Sequence, residues 1–140
     1  MLQMGFDIAY HDPVTQECVP WAQATPALLA EIAQAPWKVA DVETTGLNPA
    51  SKEQNFPAKS IRRGVNPALR LRVTSVLYPV HGAIKTVAAD FDALDGAARA
   101  AFANAALSRT VFAHNAGFDA YWLRTVGQRK VLPELLLDSM

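Results

Sequence analysis

Cysteine is nearly absent. Cys18 stands alone among 140 residues, so no internal disulfide can form. Cysteine-poor chains suit a reducing compartment, and the cytoplasm is the expected location. Nothing around Cys18 reads as a nucleophile with its base. Also missing is any run near the roughly 18 consecutive apolar residues that a membrane-spanning helix requires, so no membrane partner is expected. The opening stretch MLQMGFDIAYHD has neither the basic flank nor the apolar centre of a secretory leader. Glycine is sparse: seven residues, none in G-x-G-x-x-G or P-loop spacing, which excludes those phosphate cradles. An excess of charge of one sign is absent too. Thirteen basic and 13 acidic residues cancel, so total charge points to no class of partner. What is present is the composition of one soluble domain with a sizeable core, 51% hydrophobic and 19% charged.

Residues 1–24 carry no clear periodicity and read as an extension. TPALLAEIAQAP then reads as a short helix, with Thr25 as N-cap, Pro26 in the first helical position and Pro36 as the stop. A strand follows over Lys38–Glu43. Residues 44–68 hold Gly46, Pro49, Pro57, Gly64 and Pro67 and read as loop. LRLRVTSVLYPV (69–80) and HGAIKTVAADF form a predicted hairpin with His81–Gly82 near its turn. A helix is expected from Leu94, with Ala98, Ala101, Phe102 and Ala105 on its apolar face. TVFAH (110–114) reads as a short buried strand. NAGFDAYWLRTVG reads as a second helix, capped by Asn115 and stopped at Gly127. A last buried strand begins near Leu135. Strands mixed with helices, some antiparallel at the start, imply an α/β layer fold.

Acids occupy places that should be apolar. Residues two apart on a strand share a face, so Val39, Asp41 and Glu43 point one way and Ala40 and Val42 the other. A lone D-x-E at a strand end is most simply a strand emerging into solvent. Here it is followed by Thr44-Thr45-Gly46, a tight exit, and then by apolar Leu47. Asp119 sits near the start of its helix, where the helix dipole favours an acid. It nonetheless shares a face with Trp122, Leu123 and Val126, and an acid there needs a partner. Asp138 closes the last strand. The strands around Asp41, Phe112 and Leu136 each reach a polar residue at their C-terminal end, the edge where open α/β sheets bind ligands. Asp41, Glu43 and Asp119 are therefore expected to meet in one cleft. Carboxylates held together in this way suit Mg²⁺ or Mn²⁺ rather than zinc, which normally brings His or Cys. His114 reads as a strand-end hydrogen-bonding residue; His11 and His81 lie in turn-like contexts.

The neutral total also hides a basic segment. Lys52, Lys59, Arg62, Arg63, Arg70 and Arg72 face a single acid, Glu53, between residues 51 and 72, and the rest of the chain has seven basic against twelve acidic residues. Such a segment can bind a phosphate backbone. It reads equally well as a solvated loop, and Arg70 and Arg72 as the wet face of a strand.

DVETTGL (41–47) resembles the first motif of the DEDD superfamily of 3′→5′ exonucleases. HNAGFDAYWL (114–123) looks like the second, an Asn-x-x-x-Asp with an aromatic before the Asp. LLLDSM (135–140) is similar to the strand that follows. The two motifs in order, with a hairpin and helix between them, are closest to the proofreading domain of family A (polymerase I type) DNA polymerases. The resemblance spans about residues 37–140, leaving 1–36 as an N-terminal extension with a short helix. It implies a ribonuclease-H-like mixed sheet flanked by helices, incomplete at the C-terminus. It further implies metal-binding, catalytic carboxylates at Asp41, Glu43 and Asp119. Thr44 and Leu47 would contact the 3′-terminal nucleotide, and Asn115 and Phe118 would shape the substrate strand. The implied function is metal-dependent removal of nucleoside 5′-monophosphates from the single-stranded 3′ end of DNA, beside a polymerase domain; an RNA-trimming member of the superfamily carries the same motifs. The family also uses a fourth carboxylate and a Tyr or His in a third motif, further along than Met140. Residues 1–140 are thus expected to be the first part of such a domain. The rival expectation is a catalytically incomplete nucleic-acid-binding or structural module on the same scaffold.

Overall fold

The computed structural model describes residues 21–45 and 70–139, with the backbone of residues 10–11 and 18–19. Two short strands, β1 (Tyr10–His11) and β2 (Cys18–Val19), pair antiparallel. Next come α1 (Pro26–Gln34), β3 (Trp37–Thr44), β4 (Leu71–Val80), β5 (Ala83–Asp90), α2 (Gly96–Leu107), β6 (Thr110–Ala113), α3 (Ala116–Val126) and β7 (Leu135–Asp138). The long strands form one five-stranded sheet in the order β5-β4-β3-β6-β7. β3, β4 and β5 run antiparallel to one another, whereas β6 lies parallel to β3 and β7 parallel to β6. The chain is thus α/β with a mixed sheet. Among the described residues no helix is long and apolar enough to cross a membrane.

Local chemistry sets the boundaries. Thr25 caps α1 by accepting a hydrogen bond from the Leu28 N–H at 3.2 Å, and Pro26 opens the helix. The β4–β5 turn is the two-residue His81–Gly82, with φ of 51° and 76°. Positive φ at both central positions matches the twist of the flanking strands. Asp95 caps α2 through its side chain to the Ala98 N–H at 2.8 Å. α3 stops at Gly127, whose φ is −76°, so a left-handed backbone is not why glycine is there. Space is the reason: a Cβ would collide with the Asn104 side chain on α2.

β3 alternates strictly. Lys38, Ala40 and Val42 are buried, while Val39, Asp41 and Glu43 are exposed. The buried face joins Val76 and Tyr78 of β4 in one core with Ile32 of α1, Phe102, Ala106 and Leu107 of α2, and Trp122 and Leu123 of α3. α1 therefore packs into the same core as the sheet. Alanines at 103 and 106, both fully buried, let α2 approach its neighbours closely. The opposite face is barer than the sequence implies. In β6, Val111 and Ala113 are buried but Phe112 is 39% exposed, and Leu135, Leu136 and Leu137 of β7 are 36–50% exposed. The expectation of buried strands fails here because β7 is an edge strand with β6 as its neighbour. No described residue covers the outer face around Trp37, Val39 and Phe112.

Lys38 is the least expected core residue. Its ammonium, on a side chain with no exposed surface, donates to the carbonyls of Ala35 at 3.3 Å and Ser108 at 2.5 Å. Those residues are the C-caps of α1 and α2, where helix carbonyls lack partners and the dipole favours a cation. Burial, reinforced by the nearby charge of Arg109, pulls the Lys38 pKa down to about 8. Between that value and the unfolded value of 10.5 the unfolded chain holds the proton more tightly, so Lys38 adds stability as pH rises through this window. In urea denaturation at pH 7.5 and pH 10, the stability of the wild type relative to Lys38→Met should rise by about 1–3 kcal/mol at the higher pH. An unchanged difference would show that the ammonium is not desolvated.

Candidate functional site

Parallel pairing is what brings the strand ends that carry the acids to one edge. Val39 is level with Phe112, Phe112 with Leu137, and Ala113 with Asp138, so β3, β6 and β7 all end at the same edge. Asp41 and Glu43 stand there on the exposed face of β3. β6 delivers the chain into the His114–Asn115 turn and α3, and Asp138 ends β7. The cross-strand neighbours of Asp41 and Glu43 are Ser75 and Val73, neither of which carries a charge. A register shift between Glu43 and Thr44 marks the strand exit. That exit is pinned to β4: the Thr45 N–H donates to Arg70 O at 2.9 Å, and the Arg70 N–H donates to Thr45 Oγ1 at 2.8 Å. Thr44 is half-buried at this point.

Asp119 lies in the first turn of α3 and is only 4% exposed, with Trp122 and Leu123 buried on the same helix. Its Oδ2 is buried without a hydrogen-bond partner. Burial raises its pKa to about 7; repulsion from Asp41 adds to this, followed by Asp138 and Glu43. The repulsion places Asp41, Asp138 and Glu43 each within electrostatic reach of Asp119. The ion pairs among the described residues lie elsewhere, joining Arg70 and Arg72 to Asp92 and Lys85 to Glu31. No three acid, His or Cys side chains of the described residues are gathered closely enough to hold a metal ion as they stand. Without a counter-ion, like charges have every reason to stay apart.

The substrate-facing residues are divided. Asn115 caps α3 by position, in the left-handed region (φ 63°, ψ 59°), but its side chain makes no capping bond. The expected side-chain cap is thus absent, and the contact Asn115 does make is from its own N–H, which donates to Asp138 Oδ1 at 3.0 Å. Phe118 is half-buried and tilts against Trp122, ring centroids 6.4 Å apart. Leu47 lies outside the described residues, as do Lys52, Lys59, Arg62 and Arg63. Arg70 and Arg72, the two described members of the basic segment, are exposed and grip the two oxygens of Asp92 at 2.8 and 3.2 Å. Sequence reading missed that fork and the contact from Asp138 to Asn115, for both join residues 20 or more positions apart. No family model, curated protein or solved structure matches this chain.

Asp119 should weaken the folded state at neutral pH. Between its unfolded value of 3.8 and about 7 the folded chain holds the proton more tightly, so stability falls as pH rises through that range. Three units correspond to roughly 4 kcal/mol. Asp119→Asn, which keeps the shape and removes the charge, should match the wild type near pH 4 and exceed it by about 2–4 kcal/mol at pH 8 in urea denaturation. Equal differences at both pH values would mean that Asp119 is solvated or paired.

Proposed function

We propose that this chain carries the first two motifs of a metal-dependent DEDD-type 3′→5′ exonuclease on a ribonuclease-H-like sheet. The observation that carries this reading is the Asp119 carboxyl. It is buried, one oxygen has no partner, and it stands within the field of Asp41, Glu43 and Asp138. An acid kept in that state is neutralised by a proton or by a cation, and the acids whose charge reaches it offer hard oxygen donors that suit a divalent ion. The strand order supports the fold reading, since an antiparallel β3–β4–β5 meander beside parallel β6 and β7 is a mixed sheet with helices packed on it.

Asp41, Glu43 and Asp119 would hold Mg²⁺ or Mn²⁺. When bound, a pair of such ions supplies an activated water and stabilises the leaving 3′ oxygen of a phosphodiester. The chain's own part is to present carboxylates at one edge and to keep Asp119 away from water. Thr44 and Leu47 meet the terminal nucleotide, while Asn115 and Phe118 border the path of the strand. On this reading the fourth carboxylate and the water-positioning Tyr or His lie outside residues 1–140. The substrate is a single-stranded 3′ end of DNA, with RNA as the competing polymer, and a polymerase domain is the natural associate.

The test uses the full product of the reading frame that contains residues 1–140, given 5′-labelled single-stranded DNA and Mg²⁺. Shortening from the 3′ end with release of nucleoside 5′-monophosphates is expected, with RNA run in parallel. Asp41→Ala should lose more than about 100-fold, since even the outer partners of metal ligands cost about 10–100-fold. Undiminished activity in that variant would remove Asp41 from the mechanism. DNA binding without any metal dependence would leave the non-catalytic module as the better account.

A further inference from the structure

We infer that Asp138 is a positioning residue for this site: it fixes the turn that aims Asp119, acting as a hydrogen-bond acceptor and not as a metal ligand. The inference rests on the metal-site reading above. Asp119 is carried by the first turn of α3, where Asn115 O accepts from the N–H groups of Phe118 at 3.0 Å and Asp119 at 3.3 Å. The direction of that turn depends on Asn115, which is left-handed and has no side-chain cap of its own. Asn tolerates this backbone region better than most residues, but something must select it.

The end of β7 makes that selection. Asp138 Oδ1 accepts from the Asn115 N–H at 3.0 Å. The Ser139 N–H donates to Ala113 O at 3.1 Å, and Ser139 Oγ meets His114 Nδ1 at 3.1 Å. Two consecutive residues thus hold both residues of the His114–Asn115 turn and Ala113 at the end of β6. The bond from Asp138 ties residues 23 positions apart, so it fixes the turn against β7 and not against its own neighbours. Carboxylates that orient a site from behind the ligands are a general feature of metal centres, and removing them typically weakens metal affinity about 10–100-fold.

An acid this close to Asp119 could instead bind the ion itself, and Asp138→Asn separates the two roles. Asparagine keeps an acceptor for the Asn115 N–H and gives up the charge that a ligand needs. Mn²⁺ affinity is read by calorimetry on the full product of the reading frame that contains residues 1–140, and protection of the Asn115 amide by hydrogen exchange without metal. Asp138→Asn should keep the amide protected and bind Mn²⁺ within about threefold of the wild type, whereas Asp138→Ala should lose the protection and bind about 10–100-fold more weakly. Wild-type affinity in Asp138→Ala would overturn the inference. So would an Asp138→Asn variant that keeps the protected amide but loses the metal, because that marks a ligand. If Asp138→Ala does not fold, the Asn variant decides alone. A wild type that binds no Mn²⁺ would instead overturn the metal-site reading, and the positioning role with it.

Discussion

A strand in the middle of a sheet has neighbours on both edges and two faces that meet different surroundings, and β3 is that strand here. It pairs antiparallel with β4 and parallel with β6, so the antiparallel and parallel halves of the sheet join along it. Its period of two then separates two kinds of chemistry within eight residues, WKVADVET. Inward go Lys38, Ala40 and Val42, which belong to the core. Outward go Val39, Asp41 and Glu43. A slip of one residue would send the acids into the helices and Ala40 and Val42 to solvent, so the hydrophobic pattern also fixes where the acids stand.

The molecule handles its buried charges in opposite ways. Lys38 lies between two helix ends, and its ammonium meets carbonyls that would otherwise go unpaired. It is a structural cation, placed where two C-termini and a strand converge. Asp119 receives no such treatment. Its helix N-terminus favours a negative charge, but one oxygen has no donor and the nearest charges are acids. A structural role does not call for a buried acid that other acids repel, because an amide or an apolar residue would pack at lower free energy. Groups held in this state cluster at functional sites, where a bound cation turns the repulsion into attraction.

Much of this was legible from the chain. Thr25-Pro26 announces α1, and His81-Gly82 announces the hairpin, because caps and two-residue turns depend on adjacent residues. The exposed face shared by Asp41 and Glu43 follows from strand periodicity alone. Reading where successive strands end led to Asp41 and Glu43 as charges that reach Asp119, but not to the spacing that leaves no three described acids close enough to hold a metal as they stand. Lys38 was hidden because a lysine at the start of a strand looks like a solvated end, and only the packing of α1 against α2 closes over it. Leu135, Leu136 and Leu137 looked buried because an apolar run carries no mark of being at a sheet edge. Asn115 was placed correctly as the cap, yet its bond comes from Asp138, which no local rule could supply.

The central claim is that the unpartnered oxygen of Asp119 faces a cation site shared with Asp41. Crystals of the protein grown with Mn²⁺ and measured at a wavelength where manganese scatters anomalously test it directly. The account predicts an anomalous peak bonded to both Asp119 and Asp41 carboxylates, with Glu43 beside it. An empty edge, with Asp119 instead bonded to a lysine, an arginine or a ring of backbone N–H donors, would contradict it.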